Sequence, residues 1–110
     1  MSENTIDVTD SDFEEKVVAQ SKELPVVVDF WADWCMPCKM LSPAMDTIAK
    51  KHKDKIMVAK LNVDDNPVIS NQFGIMSIPS VKMFKDGKII DEFVGVMPEE
   101  AIEGWIEKNI

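Results

Sequence analysis

The sequence predicts an α/β domain in which helices cover a central mixed sheet of five strands. Apolar runs typical of buried strands alternate with amphipathic stretches typical of helices, an order that favours parallel pairing. Near the end, Asp86-Gly87 separates two apolar runs and predicts a hairpin, which adds antiparallel strands. The chain has 110 residues, 45% of them hydrophobic. This is enough for one core, so we expect residues 1–110 to form a single domain.

The first third of the chain predicts strand, helix, strand. Thr5–Val8 is a candidate short strand. The pattern Ser11-x-x-Glu14 resembles a capping box and predicts a helix over about residues 11–21. Its apolar face would consist of Phe13, Val17 and Val18. The run Pro25–Trp31 is continuously apolar except for one aspartate, which predicts a buried central strand.

Residues 35–52 predict a long helix that contains a proline. Pro43 removes one backbone hydrogen bond from this helix, so the first two turns are expected to lean away from the rest. The expected inward residues are Met40, Leu41, Met45, Ile48 and Ala49. Ile56–Val63 then predicts a second buried strand.

The remainder predicts helix, strand, strand, helix. Asn66 as N-cap and Pro67 at the first helical position open a short helix that ends near Gly74. The strands of the hairpin are Val81–Phe84 and Ile89–Val94. A last helix begins after Pro98, with an apolar stripe of Ile102, Trp105 and Ile106. The complete predicted order is therefore β-α-β-α-β-α-β-β-α.

Composition excludes several classes of partner. The net charge is −8, and all twelve basic residues are lysines, so neither nucleic acid nor an anionic membrane is an expected partner. No apolar run reaches the roughly 18–20 residues that span a bilayer. The segment Met1–Thr5 has neither the basic nor the apolar region of a secretory signal. We therefore expect a cytoplasmic protein, with an exported, processed form as the alternative.

The two cysteines, Cys35 and Cys38, lie three residues apart where a strand gives way to a helix. At this spacing they are neighbours on a helix and can close a small disulfide ring. The helix N-terminus favours a thiolate on Cys35, which we expect to be the more exposed sulfur and the nucleophile. Cys38, one turn into the helix, would be the buried resolving thiol. The alternative is a structural or metal-binding pair, but His52 is the only histidine and lies far along the helix.

Asp29 is the one charged residue in its apolar strand. Burial should raise the pKa of this carboxyl, which suits a proton acceptor for Cys38. Lys60, on the next apolar strand, is the expected charge partner. The alternative for Asp29 is a strand residue that faces solvent at a sheet edge.

Five blocks of the chain resemble the thioredoxin family, in the family's order and spacing. The most specific is Phe30–Pro43, which contains Trp34-Cys35-Met36-Pro37-Cys38 and looks like the family's active-site segment. The others are Val58–Asp64, Phe73–Ser80, Phe84–Gly87 and Val94-Gly95. The resemblance covers nearly the whole chain and implies the thioredoxin fold.

The resemblance also implies an activity. It predicts a general protein-disulfide reductase that cycles between the Cys35/Cys38 dithiol and disulfide through a mixed disulfide on Cys35. It implies no bound cofactor, no metal and a monomer. The implied partners are a thioredoxin reductase, either nicotinamide- or ferredoxin-driven, and client proteins that carry disulfides. It assigns to Asp29 the role of proton acceptor, through a water, with Lys60 beside it.

The resemblance places the client-binding surface around the cysteine pair and predicts that Pro79 follows a cis peptide bond. The implied contact residues are Trp34, Met36, Pro37, Met76, Ile78, Pro79 and Gly95. The main departure from the family is Met36, where glycine is typical. Three other functions stay open on the residues. One is an oxidant or isomerase on the same fold, and another is a dimer that shares a metal or iron–sulfur cluster through two C-x-x-C pairs. The third is a subunit that uses the fold as a structural support in a larger complex.

Overall fold

Five strands form one mixed sheet in the computed structural model, which describes residues 4–110. They are β1 (Thr5–Asp7), β2 (Val26–Trp31), β3 (Met57–Asn62), β4 (Ser80–Lys85) and β5 (Lys88–Val94). Their spatial order is β1-β3-β2-β4-β5; β1, β3 and β2 run parallel, whereas β4 and β5 are antiparallel to their neighbours. The predicted mixed sheet is confirmed. Met1–Glu3, part of the segment considered as a signal peptide, lie outside the described residues.

Helices cover both faces of the sheet. In the part of the chain that the structure describes, the three α-helices are α1 (Met36–Lys51), α2 (Pro67–Gln72) and α3 (Glu99–Asn109). An N-terminal helical segment precedes β2 and consists of a π-helix, Glu14–Ala19, and a 3₁₀ turn, Gln20–Lys22. Within residues 4–110, every helix is too short or too polar to span a lipid bilayer.

The core consists of two layers because the strand side chains alternate between the two faces. On one face, Val27, Val58 and Val81 pack against α1 and α3. On the other face, Val26 and Val28 pack against the N-terminal helical segment and α2. The predicted α3 stripe of Ile102, Trp105 and Ile106 is buried as expected.

The hairpin between β4 and β5 has the predicted two-residue turn. Asp86 and Gly87 both have positive φ angles, 54° and 85°. Both central residues of a type I′ turn need this conformation, and aspartate followed by glycine adopts it readily. The turn thereby sets the antiparallel return of β5 along β4.

The predicted first helix is wrong in its start and its type. Ser11 makes no capping bond with the helix; instead Thr9 donates its backbone N–H to Asp12 Oδ1, at 2.6 Å, in the preceding turn. The helix begins at Glu14 and has the wider π-helical spacing. A local side-chain bond to the backbone thus competes with the cap that the pattern indicated.

Helix α1 agrees with the predicted bounds to within one residue, and Pro43 lies inside it. One expected inward residue is wrong: Met40 is 64% exposed. The buried positions Leu41, Met45 and Ile48 follow a spacing of three and four residues along one face. Met40 lies beside that face and points to solvent, one turn after Met36, which is also exposed.

The predicted N-cap position of α2 is confirmed at Asn66, but a different side chain makes the cap bonds. The Asn66 side chain makes no cap bond to the helix, but accepts a hydrogen bond from the Asp10 backbone N–H at 2.9 Å. Asp10, which lies in the loop after β1, supplies the cap: its carboxylate accepts from Val68 N at 3.1 Å and from Ile69 N at 2.8 Å. These are two of the first N–H groups that a helix leaves unpaired.

Replacement of the Asp10 carboxylate should therefore destabilise the protein. We expect Asp10→Ala to lower the free energy of unfolding by about 1 kcal/mol, since both N–H groups lose their acceptor. Urea denaturation followed by tryptophan fluorescence measures this. The matched variant Asp10→Asn keeps one acceptor oxygen and should fall between the two; an Asp10→Ala curve identical to that of the wild type would contradict the cap.

Candidate active site

The two cysteines form a disulfide at the start of α1. The chain leaves β2 at Trp31, and Cys35 occupies the N-cap position in extended conformation, with φ −91° and ψ 103°. The Cα atoms of Cys35 and Cys38 are 5.3 Å apart, within the range that a disulfide spans. The strand-to-helix junction predicted from the sequence thus holds the cysteines as a closed pair.

A backbone N–H of α1 points at the Cys35 sulfur. Cys38 donates its backbone N–H to Cys35 Sγ, at 3.2 Å. In the dithiol form, the same N–H and the positive end of the helix favour the thiolate over the thiol. Cys35 is therefore the sulfur whose charge this helix N-terminus stabilises.

Burial does not distinguish the two cysteines in the disulfide form. Cys35 is 3% exposed and Cys38 is 2% exposed, so the expected difference in exposure is absent here. The difference lies in their neighbours. Cys35 Sγ lies 3.8 Å from the carbonyl oxygen of Ile78, whereas Cys38 lines a cavity that Asp29 also lines.

The peptide bond between Ile78 and Pro79 is cis, as expected. The carbonyl oxygen of Ile78, which belongs to this peptide bond, contacts Cys35 Sγ of the disulfide. The Pro79 carbonyl accepts a hydrogen bond from Gly95 N at 2.8 Å. Gly95 has φ 92°, a conformation that glycine adopts without a steric penalty. The structure thus brings Ile78, Pro79 and Gly95 together beside Cys35.

Three large apolar side chains near this site are exposed to solvent: Trp34 at 70%, Met36 at 65% and Met76 at 95%. Trp34 and Met36 flank Cys35 in the chain, and Met76 lies two residues before Ile78. The indole N–H of Trp34 donates to Asp64 Oδ2 at 2.8 Å, which fixes one edge of the ring. Trp31, by contrast, is partly buried and packs against the cysteine pair.

Asp29 is buried under the cysteine pair and is 1% exposed. It shares a cavity of about 300 Å³ with Cys38, Trp31 and Lys60. Its Oδ1 atom has no hydrogen-bond partner. Desolvation by burial raises the pKa of Asp29 from its ordinary value of 3.8 to about 7; the Lys60 charge opposes this rise and the Asp46 charge adds to it. The expected burial is confirmed, and the solvent-facing alternative is wrong.

Lys60 lies next to Asp29 in the register of β3 and β2 but does not bond to it. Its ammonium group donates to Ser42 Oγ at 2.7 Å and to Asp46 Oδ1 at 2.8 Å. Lys60 therefore influences the Asp29 carboxyl through its charge, in line with the expected charge partner, whereas its hydrogen bonds go to α1. Ser42 and Asp46 lie four residues apart on the face of α1 above β3, which gives the ammonium two acceptors at once.

Among residues 4–110, no group of three or more histidine, cysteine or acidic side chains is placed to hold a metal ion. Cys38 and Asp29 do share one cavity, but His52 lies elsewhere. Its ring is paired with Glu103 of α3 at the far end of α1.

Comparisons with known proteins agree with this geometry. The sequence model of the family described as Thioredoxin matches residues 4–108. A thioredoxin of Rickettsia felis is 47% identical over 103 residues, which cover 94% of this chain and 96% of the relative. A thioredoxin of Porphyra purpurea is 45% identical over 94% of both chains, and thioredoxin 1 of Synechococcus elongatus is 43% identical over the same shares.

The chain belongs to the thioredoxin family. Its activity is that of the family, thiol-disulfide exchange with protein disulfides, and the Cys35–Cys38 pair at the start of α1 is the group that exchanges. Thioredoxins carry the two electrons in their own dithiol and need no cofactor. The predicted fold and activity are both confirmed.

Ser42 and Asp46 are the neighbours of this thioredoxin site that the sequence analysis missed. Both lie within the predicted helix over residues 35–52, but the sequence pattern assigns them no role. Their spacing of four residues, with Ser42 about one turn and Asp46 about two turns after Cys38, is visible in the sequence. Ser42 and Asp46 face Lys60 because of the way α1 crosses β3, and no local sequence pattern predicts that crossing.

The buried Asp29 carboxyl should make this thioredoxin-family protein less stable as the pH rises. Its pKa is about 7 in the native state and near the ordinary 3.8 in the unfolded chain, so between these pH values the native state binds more protons. Native stability therefore falls from about pH 4 to about pH 7. Asp29→Asn does not titrate, so its advantage over the wild type should grow across this range to a few kcal/mol.

Urea denaturation of the oxidised protein at several pH values checks this, because the cysteines do not titrate in the disulfide. Asp54→Asn, a charge-matched change at an exposed position, should keep the pH dependence of the wild type. A difference between Asp29→Asn and the wild type that stayed constant from pH 4 to pH 8 would show that Asp29 titrates normally.

Proposed function

We propose that this protein is a general protein-disulfide reductase in which Cys35 is the nucleophile and Cys38 the resolving thiol. The observation that carries the proposal is the N-cap position of Cys35, whose sulfur accepts the backbone N–H of Cys38. Only one of the two sulfurs receives this stabilisation of negative charge. The attacking thiolate is therefore assigned to Cys35.

The first step transfers the client's disulfide bond to Cys35. The Cys35 thiolate attacks one sulfur of the client disulfide, a Cys35–client bond forms, and the other client sulfur leaves as a thiolate that takes up a proton from water. Because the Ile78 carbonyl lies beside Cys35 Sγ, a client backbone that pairs with Ile78 would be aligned with the attacking sulfur.

The second step closes the Cys35–Cys38 disulfide. The Cys38 thiol gives its proton to the Asp29 carboxylate, directly or through a water in the shared cavity, and the resulting thiolate attacks Cys35 Sγ. The bond to the client breaks, and the client leaves fully reduced. An acceptor whose pKa lies near the working pH is suited to this transfer, and that of Asp29 is about 7.

We assign client contact to the apolar surface around the dithiol, made of Trp34, Met36, Pro37, Met76, Ile78, Pro79 and Gly95. Exposed aromatic and thioether side chains offer adaptable contact to many unrelated partners. This breadth is what a general reductase requires. The reductase that returns two electrons to the disulfide would use the same surface.

The remaining assignments follow from the family and from the chemistry. We propose that residues 1–110 act as one monomeric domain in the cytoplasm, since a reducing compartment keeps such a dithiol available. Thioredoxin reductase would be the electron donor and disulfide-bearing proteins the clients. The chain would thereby contribute to electron transport and cell redox homeostasis, with no role for nucleic acid or membranes.

The two cysteine variants should fail in different ways. Cys35→Ser should abolish reduction of insulin disulfides, since no nucleophile remains. Cys38→Ser should instead accumulate mixed disulfides with clients, since attack still occurs but resolution does not. Non-reducing electrophoresis of each variant with insulin distinguishes the two results.

Alkylation gives an independent check of the same assignment. Iodoacetamide at neutral pH should label Cys35 of the reduced wild type well before Cys38. Preferential labelling of Cys38 would reverse the assignment. A reduction potential far above those of known reductants would favour the oxidant or isomerase alternative.

Met36 should affect partner contact more than redox balance. Glycine costs a helix about 1 kcal/mol relative to methionine. Residue 36 is at the helix start in both redox states, so most of this cost cancels between them. We expect Met36→Gly to shift the reduction potential by less than about 30 mV, the equivalent of 1.4 kcal/mol for two electrons.

Met36→Gly should slow reduction of clients by removing apolar contact, whereas Met36→Leu, which keeps that contact, should retain most of the rate. Equilibration with glutathione measures the potential, and insulin turnover measures the rate. A potential shift well above 30 mV with unchanged client rates would show that Met36 tunes the redox couple.

A further inference from the structure

A row of charged residues crosses the face of the sheet that lies under α1. Asp7 of β1 is in register with Lys60 of β3, and Lys60 is in register with Asp29 of β2. Residues in register on neighbouring strands project to the same face. On the other side of Asp29, β4 presents the uncharged Val81. Lys60 therefore emerges between two carboxylates of the sheet.

The Lys60 ammonium nevertheless pairs with the helix above it. It bonds to Ser42 Oγ at 2.7 Å and to Asp46 Oδ1 at 2.8 Å, and its side chain is only 13% exposed. Meanwhile Asp29 Oδ1 is buried with no hydrogen-bond partner. A buried carboxylate beside a lysine would ordinarily form an ion pair, because an unpaired buried charge is costly.

We propose that Ser42 and Asp46 are positioning residues that hold the Lys60 ammonium off the Asp29 carboxyl. They thereby keep Asp29 a strong enough base to accept the Cys38 proton. The inference rests on the proposed role of Asp29 as that acceptor.

The charges around Asp29 support this arrangement. From α1, Cys38 and Lys39 line the same cavity, and Asp46 lies above it; from the sheet come Asp7 and Lys60. Among the causes that set the pKa of Asp29, the Lys60 charge is the one that lowers it, against burial and the Asp46 charge. An ammonium released from the helix could approach Asp29 and ion-pair with it, which would lower that pKa further.

The position of the Lys60 ammonium matters for the resolving step, because the base strength of Asp29 determines how favourable proton transfer from Cys38 is. The Cys38 S–H bond breaks, its proton goes to Asp29, and the Cys38 electron pair forms the bond to Cys35 Sγ as the client thiolate leaves. If Asp29 formed an ion pair with Lys60, it would remain ionised but become a weaker base. Proton transfer from Cys38 would then be less favourable.

Two variants separate the effect of the acceptors that hold Lys60 from the simple loss of the Asp46 charge. Asp46→Asn removes the negative charge but keeps an acceptor oxygen for Lys60. The double variant Ser42→Ala/Asp46→Ala removes the same charge and both acceptors. Alanine is a good helix former, and neither position is fully buried, so both proteins should fold.

The measurement is a ¹³C NMR titration of the Asp29 carboxyl carbon in the oxidised protein, where the cysteines do not titrate. We expect the Asp29 pKa in Ser42→Ala/Asp46→Ala to lie roughly 1 below that in Asp46→Asn, the lower end of the effect of an opposite charge within about 4–6 Å. With Lys60→Gln added to both proteins, this difference should disappear. Equal values in the first pair, or a difference that persists without Lys60, would overturn the proposal.

The rate of mixed-disulfide resolution tests the function separately. Ser42→Ala/Asp46→Ala should slow resolution at pH 7 relative to Asp46→Asn. It should also move the midpoint of the pH profile of resolution to lower pH, a change that a merely structural role would not produce. If Asp29→Asn resolves as fast as the wild type, the proton-acceptor role itself is wrong, whatever the titration shows. If Asp29→Asn slows resolution but Asp46→Asn and Ser42→Ala/Asp46→Ala have the same pH profile, the positioning role alone is wrong.

Discussion

The site depends on the hydrogen bonding of β2 along both of its edges. β3 pairs with it on one side and β4 on the other, and residues Val26–Phe30 are fully or almost fully buried. A strand held in this way has little freedom to shift, because a slip of one residue would turn its core side chains to the opposite face. The end of β2 at Trp31 is therefore held in place, and this limits the position of Cys35, the N-cap of α1, which lies four residues beyond. The redox pair thus follows a strand that is hydrogen-bonded on both edges.

The same constraint explains why an aspartate can persist in this strand. Asp29 lies under α1, and its desolvation weakens the folded state at neutral pH. Protein stability is commonly given up in this way at positions that serve chemistry. The double pairing of β2 tolerates the cost, since its backbone bonds do not depend on that side chain.

Much of this arrangement follows from patterns within short stretches of sequence. The apolar runs predicted each strand to within one or two residues, the i, i+3 cysteines predicted a reactive pair, and the lone acid in an apolar run predicted a buried carboxyl. The cis bond before Pro79 came from the family resemblance alone, because proline by itself does not specify it.

The failures concern interactions between segments that are distant in the chain. The partners of Lys60 depend on how α1 crosses the sheet, and the cap of α2 comes from Asp10, 58 residues before Val68. The Ser11 pattern failed for a different reason, since a bond between Thr9 and Asp12 satisfied the local backbone first. Residue patterns indicate local preferences, whereas the contacts of Lys60 and Asp10 depend on how distant segments pack in the folded protein.

The cap that Asp10 provides has a consequence for how the protein opens. β1 has three residues at the edge of the sheet and pairs only with β3. Its following loop is bound to the first turn of α2 by three hydrogen bonds, two to the Asp10 carboxylate and one from its backbone. The edge strand and this short helix therefore cannot detach independently without breaking those bonds. Their amides should exchange with deuterium as one cooperative unit, distinct from the slower-exchanging strands β2 and β3 that hold the dithiol.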